Sequence, residues 1–115
     1  MNRDNLRRLL ALSAMVQDLR LAELSQAEAA RSASVAALAR LDMPSPDVDL
    51  DPVAAGRAQV SYARWADVRR NDLKITIARQ TEICVAAQDL ARTAFGRQQA
   101  LIAVAERVAA VRKRP

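Results

Sequence analysis

Three carboxylates alternate in the segment LDMPSPDVDLDP, at Asp47, Asp49 and Asp51. Alternating oxygen ligands of this kind are typical of the calcium loop of helix-loop-helix proteins. Such a loop starting at Asp47 requires Gly at its sixth position and Glu at its twelfth, where this chain has Pro52 and Ala58. We therefore predict a solvated acidic turn, in which Asp51 caps the next helix and Pro52 occupies its first position.

Other side chains that could do chemistry lack the partners that the chemistry needs. The chain has no His and a single Cys, Cys84, so one chain can form neither an imidazole base nor a thiolate zinc site. No Gly-rich phosphate-binding motif is present. Cys84 lies in an apolar helical pattern and is expected to be a buried small hydrophobe rather than a reactive thiol. The sequence predicts a protein that is not an enzyme, without metal or cofactor.

The segment YARWADVRR holds the only Tyr and the only Trp of the chain, Tyr62 and Trp65. Being three residues apart, they share one face of a helix. One interpretation is that they close the end of the helix pair by packing on the last Leu residues of the preceding helix. The other is that they form a partly exposed anchor for a protein partner, with Arg64 and Arg69, since Trp, Tyr and Arg are enriched at interface hot spots.

Two long helices must carry these residues, because Ala, Leu, Arg and Gln dominate the composition and favour helix. The first helix is predicted over about residues 4–41. Two X-Pro steps, Met43-Pro44 and Ser45-Pro46, end it. Its apolar stripe has the heptad spacing of a coiled coil. The stripe comprises Leu12, Met15, Leu19, Ala22, Ala29, Ala33 and Ala36, with Gln26 in the same row.

The second helix is predicted over about residues 57–112, or from Pro52 if Gly56 does not delay it. Its stripe comprises Ile83, Ala87, Leu90, Ala94, Leu101, Val104, Val108 and Val111. Two amphipathic helices joined by a short loop predict an all-α fold. We expect a long antiparallel two-helix coiled-coil hairpin over residues 1–115, with an acidic Pro-containing loop over 42–56 and a second helix longer than the first.

A register for this pairing follows if Leu41 lies opposite Ala58, which places Asp4 opposite Phe95. In this register the start of the first helix lies opposite the residue just before Gly96. Gly96 is either tolerated in a straight helix or marks a bend or the end of rigid pairing. The apolar stripe beyond it would lack cover within the chain. An uncovered stripe predicts contact with a second copy, a partner or the same chain folding back.

The net charge is +5, yet residues 42–56 carry four Asp and no Lys or Arg. A basic chain can bind nucleic acid, anionic lipid or an acidic protein. Nucleic acid is disfavoured, because the Arg residues scatter around the second helix and only Tyr62 and Trp65 could stack on bases. No stretch reaches the ~18 uncharged apolar residues that span a bilayer, and no signal peptide is recognisable. We expect a soluble cytoplasmic protein.

The layout of the chain resembles the small coiled-coil stalk proteins of flagellar and type III secretion export, the FliJ/YscO type. The likeness rests on a Leu- and Arg-rich first helix with a long Ala seam, a short loop, and a longer second helix that begins with the aromatic pair. The resemblance implies an antiparallel coiled coil similar to the rotary stalk of F-type ATPases. It also implies a protein without catalytic activity that associates with the export ATPase, escorts chaperones and contacts the export gate.

The chain is accordingly expected to be an export stalk or adaptor, cytoplasmic or peripheral at the export apparatus on the inner membrane. The alternative is a generic helical scaffold or secretion chaperone that self-associates as a dimer, and a basic nucleic-acid-binding helical protein comes third. The residues expected to bind partners are Tyr62, Arg64, Trp65, Arg69, Leu101, Val104, Val108 and Val111.

Overall fold

Two α-helices make up almost all of residues 2–43 and 51–113, the part of the chain that the computed structural model describes. Helix α1 is Arg3–Leu41 and helix α2 is Pro52–Lys113. No strand occurs within the described ranges. The predicted all-α fold, an antiparallel two-helix coiled-coil hairpin with a longer second helix, is confirmed.

Helix α1 begins with a side-chain cap. The Asp4 amide donates to Oδ1 of Asn2 at 3.1 Å, and the Leu6 amide donates to the Asn2 carbonyl at 3.0 Å. Asn is among the best N-cap residues because its short side chain satisfies an amide that has no partner within the helix. The start of α1 is therefore fixed by the second residue of the chain.

Helix α2 begins at Pro52, the earlier of the two starts that the sequence allows. Proline suits this position because its missing N–H would have no partner in the first turn. The Ala55 amide donates to the Asp51 carbonyl at 2.7 Å, which puts Asp51 at the predicted N-cap position. The residues of the predicted acidic loop that lie outside the described ranges are Pro44, Ser45, Pro46, Asp47, Val48, Asp49 and Leu50.

The chain divides into two compact units. We call Met1–Ala27 together with Ile83–Pro115 the terminal unit, and Glu28–Glu82 the central unit. In each unit a segment of α1 packs along a segment of α2. That residues 1–115 form a single domain stays a prediction.

In the terminal unit each helix contributes one row of buried or half-buried residues in alternating steps of four and three. The α1 row is Leu6, Leu10, Ser13, Gln17, Arg20, Leu24 and Ala27. The α2 row is Cys84, Ala87, Ala91, Ala94, Gln98, Leu101, Ala105 and Val108. This spacing is the heptad of a coiled coil. Three of the α2 alanines are buried, and their small side chains let the two backbones approach closely.

In the central unit the rows are shorter and more polar. They comprise Ser34, Leu38 and Leu41 from α1 and Ala66, Arg70, Leu73, Ile77 and Gln80 from α2. Two polar side-chain contacts join the helices in this unit. Nε of Arg31 donates to Oγ1 of Thr81 at 2.8 Å, and Nη2 of Arg70 forms an ion pair with Oδ1 of Asp42 at 3.1 Å. From Arg31 to Asp42 the residue number rises along α1, while that of the α2 partner falls from Thr81 to Arg70. The two helices are therefore antiparallel here.

The predicted register is wrong in the central unit. Asp42 pairs with Arg70, so the end of α1 lies about three helical turns further along α2 than Ala58. The polar cross-helix contacts require this alignment.

The register is also wrong in the terminal unit. The Asp4 turn was expected beside Phe95, but Leu6 shares a groove with Val108. The covered row of α2 continues past Gly96 as far as Val108, so Gly96 does not end the pairing. The last turns of α2 are covered because the first turns of α1 lie against them.

The predicted stripe of α1 lies on the wrong face. Leu12, Met15 and Leu19 are exposed, and so are the remaining members of the stripe that continue it in both units. In α2 the stripe is correct at Ala87 and Ala94, which are buried. It is wrong at Ile83 and Leu90, which are exposed, whereas Val104 and Val111 are exposed as expected for the part beyond Gly96. The reason is that both the exposed face and the covered face of α1 follow heptad spacing and the exposed one is the more apolar, so the hydrophobic period alone does not determine which face α2 covers.

We expect Gly96→Ala to stabilise the protein by about 1 kcal/mol, because Gly is less favourable than Ala in a helix interior by that amount. A Cβ at Gly96 meets nothing within 4 Å, so the substitution introduces no clash. Urea unfolding followed by far-UV circular dichroism measures the change. Gly56→Ala, which also opens onto empty space, is the matched control. If the control stabilises and Gly96→Ala destabilises, the backbone at Gly96 is not that of a regular helix.

Candidate partner-binding surfaces

Tyr62 and Trp65 lie in contact on the surface of α2. Their ring centroids are 5.7 Å apart with the planes tilted by 41°, within the range of favourable aromatic pairs. Tyr62 is 41% exposed and Trp65 is 56% exposed. More than half of the indole is accessible, which argues against the interpretation that the pair closes the seam between the helices.

The pair is exposed because this part of α2 has little cover. Every residue of α2 before Ala66 is exposed except Ala55, which is half-buried. The covered row of the central unit begins at Ala66, the residue after Trp65. Trp65 therefore directs its side chain away from the seam while its neighbour enters it, as expected for adjacent positions on a helix.

Charged and apolar neighbours extend the aromatic pair into a patch. Arg64 and Arg69 are exposed. Val68 is exposed as well and lies three residues after Trp65, so it shares the same face. Sequence reasoning missed Val68, although its spacing from Trp65 could have indicated it. We call Tyr62, Trp65 and Val68 with these two arginines the aromatic patch.

Arg70 is separated from this patch by its ion pairs. Its Nη1 lies 2.9 Å from Oδ1 of Asp67 and its Nη2 lies 3.1 Å from Oδ1 of Asp42. Within the described ranges Arg64 and Arg69 form no ion pair. The guanidinium of Arg70 thus holds the helices together, whereas the other two are available to a partner.

The four predicted binding residues near the end of α2 separate into two pairs. Leu101 and Val108 are half-buried in the covered row of the terminal unit, so the prediction that they are uncovered is wrong. Val104 and Val111 are exposed and, being seven residues apart, lie on one line along the helix. The corrected register explains the difference, because α1 covers only one side of the predicted stripe.

A second apolar surface lies on α1 in the terminal unit. Leu12, Met15 and Leu19 follow the heptad spacing of the predicted stripe and are all more than half exposed, with Met15 at 68%. We call these three residues the outer α1 stripe. The covered row at the same level consists of Ser13, Gln17 and Arg20, so the exposed face of α1 is more apolar here than the covered one.

A groove opens in the terminal unit between the first turns of α1 and the last turns of α2, with a volume of about 390 Å³. Its apolar lining consists of Leu6, Leu10, Ala105, Val108 and Ala109, and its charged lining consists of Arg3, Arg7, Arg112 and Lys113. We call it the basic-rimmed groove. Sequence reasoning missed it because the assumed register placed these two segments apart.

No group of three or more His, Cys, Asp or Glu in the described part of the chain could hold a metal ion. Cys84 is a free thiol, half-buried in the covered row of the terminal unit. Neither helix, as far as it is described, is long and apolar enough to cross a membrane.

No protein-family model, curated protein or solved structure matches the chain.

The corrected register predicts effects of different size for two nearby valines. Val108→Asn replaces a half-buried apolar side chain in the covered row by an uncharged polar one and should destabilise the protein by roughly 1–3 kcal/mol. Val111→Asn changes a residue that is 67% exposed and should cost less than about 0.5 kcal/mol. Thermal unfolding of the two variants measures both. Equal effects would mean that α1 does not cover Val108.

Proposed function

We propose that this chain is a non-enzymatic coiled-coil adaptor that binds other proteins, and that it serves as a stalk of the flagellar or type III protein export apparatus. In this role it links the export ATPase to the export gate and chaperones. The observation that carries the protein-binding part of the proposal is the exposed contact between Tyr62 and Trp65 on a regular helix.

Trp65 is the only Trp of the chain, and more than half of it is exposed. Interface hot spots are enriched in Trp, Tyr and Arg, and the aromatic patch combines all three. The two rings already touch in the free chain, so less side-chain freedom is lost on binding. The helix fixes their direction, which favours recognition of one defined surface on a partner.

The export setting is supported by the resemblance in layout. The aromatic patch lies near the beginning of the longer helix, and that helix pairs through a row rich in alanine. A stalk of this type works by offering binding surfaces to larger machines, so it needs no catalytic group. We place the protein in the cytoplasm or at the cytoplasmic side of the export apparatus.

Substitution of Trp65 tests the protein-binding role. Trp65→Ala should leave the melting temperature nearly unchanged, because the side chain is largely exposed, and should weaken partner binding by about 2 kcal/mol or more, about thirtyfold. Partners are captured from the native host with the full chain as bait, identified by mass spectrometry, and titrated as purified proteins by calorimetry. Phe95→Ala, another exposed aromatic residue, is the matched control and should retain binding.

Three results would contradict the proposal. The first is a Trp65→Ala protein that binds every captured partner normally. The second is a Trp65→Ala protein that unfolds, which would make the indole a structural residue. The third is duplex DNA or RNA as the main ligand, with an affinity that falls steeply as salt rises.

A second candidate function, a dimeric helical scaffold or secretion chaperone, is favoured by the outer α1 stripe. Three large apolar side chains at heptad spacing suit a further helix better than a flat surface, since knobs on one helix fit holes on another. A second copy of the chain can supply that helix. The sequence predicted that these residues pack between the two helices of one chain. In a dimer they would pack between the two chains instead.

Sedimentation equilibrium distinguishes the two functions. If the chain is a dimeric scaffold, Leu12→Glu combined with Leu19→Glu should convert the dimer to a monomer, because two charges on each copy would lose water in the interface. Ile83→Glu combined with Leu90→Glu is the matched control, since these exposed residues have the same spacing in the same unit. A wild-type chain that is monomeric at all concentrations would remove the scaffold candidate.

A further inference from the structure

The basic-rimmed groove combines an apolar floor with a one-sided charge. Leu6 at its base is 5% exposed, and Leu10, Ala105 and Val108 are half-buried around it. Of the nine lining residues four are cationic and none is acidic. A volume of about 390 Å³ lies within the ~300–1,000 Å³ typical of ligand pockets, which is enough for one or two apolar side chains of a partner.

The positive charge of this groove is not neutralised by its surroundings. Residues 3–10 and 105–113 together carry six Lys or Arg and two acids, Asp4 and Glu106. Neither acid lines the groove. The ion pairs among the described residues, at Arg20 and at Arg70, leave the four rim cations out. The field at the groove therefore favours a negatively charged partner.

We propose that the basic-rimmed groove binds an acidic peptide segment of another protein, one that inserts an apolar anchor side chain between flanking carboxylates. The anchor packs on Leu10 and Val108, and the carboxylates meet the guanidinium groups of Arg3, Arg7 and Arg112. Arginine suits this task because its planar head can donate two parallel hydrogen bonds to one carboxylate. The proposal rests on the proposed protein-binding function and names the chemistry of one partner.

The shape of the groove favours a peptide over an anionic membrane surface. Helices that bind membranes expose their large apolar side chains so that these enter the bilayer interface. Here the apolar residues are recessed: Leu6 is buried, and Leu10 and Val108 are half-buried behind the cationic rim. A flat lipid surface could reach the arginines but not the floor, whereas a single protruding side chain reaches both.

Binding to a designed probe tests the proposal on the full chain. The probe is a fluorescein-labelled, amidated peptide of alternating Glu and Leu, and its binding is followed by fluorescence anisotropy. Arg7→Gln combined with Arg112→Gln should weaken binding at least tenfold, because two rim charges are lost. Arg79→Gln combined with Arg92→Gln removes the same net charge from exposed positions outside the groove and should weaken it less than threefold.

Control peptides test whether binding needs the apolar anchor as well as the charge, and two further variants test whether it occurs in the groove or at the aromatic patch. A peptide with Ser in place of Leu, and one with Lys in place of Glu, should each bind at least tenfold more weakly. Ala109→Glu, which puts a carboxylate in the groove, should abolish binding, while Trp65→Ala should leave it unchanged. If the peptide does not bind but Trp65→Ala still weakens binding to captured partners, the groove is not a peptide site and the proposed function stands.

Several outcomes would overturn the proposal. They are no binding of the probe, equal binding of the Ser peptide, equal losses in the two paired Arg variants, and a loss with Trp65→Ala. Tight binding to phosphatidylserine vesicles that depends on Arg7 and Arg112, without peptide binding, would assign the groove to a membrane surface. Self-association of the wild-type chain that Ala109→Glu abolishes would make the occupant a second copy.

Discussion

The structure depends on a seam between two helices that is only one layer thick. The buried residues of the described ranges are Leu6, Ala66, Leu73, Ala87, Ala91 and Ala94, and none is larger than Leu. Small side chains bury little area each, so stability must come from many weak contacts repeated along the helices. Close approach of the backbones is what alanines at these positions provide. Each helix is stable because it lies against the other.

Such a seam does not determine its own alignment, since the small alanines of α2 accept several α1 side chains at successive heptad steps. Polar contacts supply the missing information in the central unit. The contacts from Arg31 to Thr81 and from Arg70 to Asp42 form only at this register, and each favours it by up to about 1 kcal/mol because both are exposed. The buried carboxamide oxygen of Gln80 has no partner among the described residues, which costs stability.

The same property explains what sequence reasoning could and could not predict. Helix, loop and fold class followed from a scarcity of Gly and Pro, two X-Pro steps and long heptad patterns, which are local signals. The face and register of α1 did not follow, because two faces of that helix share one period and the outer one, with Leu12 and Met15, is the more apolar. The basic-rimmed groove was missed for the same reason. The sequence left open whether Trp65 is exposed, because the answer depends on where α1 ends along α2.

A thin seam also explains why so many apolar side chains are exposed. A helix has about 3.6 residues per turn, and a two-helix pair covers only one side of each, so apolar residues on the other sides cannot be buried in a core. In a compact domain, exposed side chains such as Trp65, Met15 and Val111 would be a liability for aggregation. On paired helices they can be kept apart by charged residues, as Arg97 interrupts the line of Leu90 and Val104. The arrangement favours a protein whose partners, rather than its own core, cover its apolar surface.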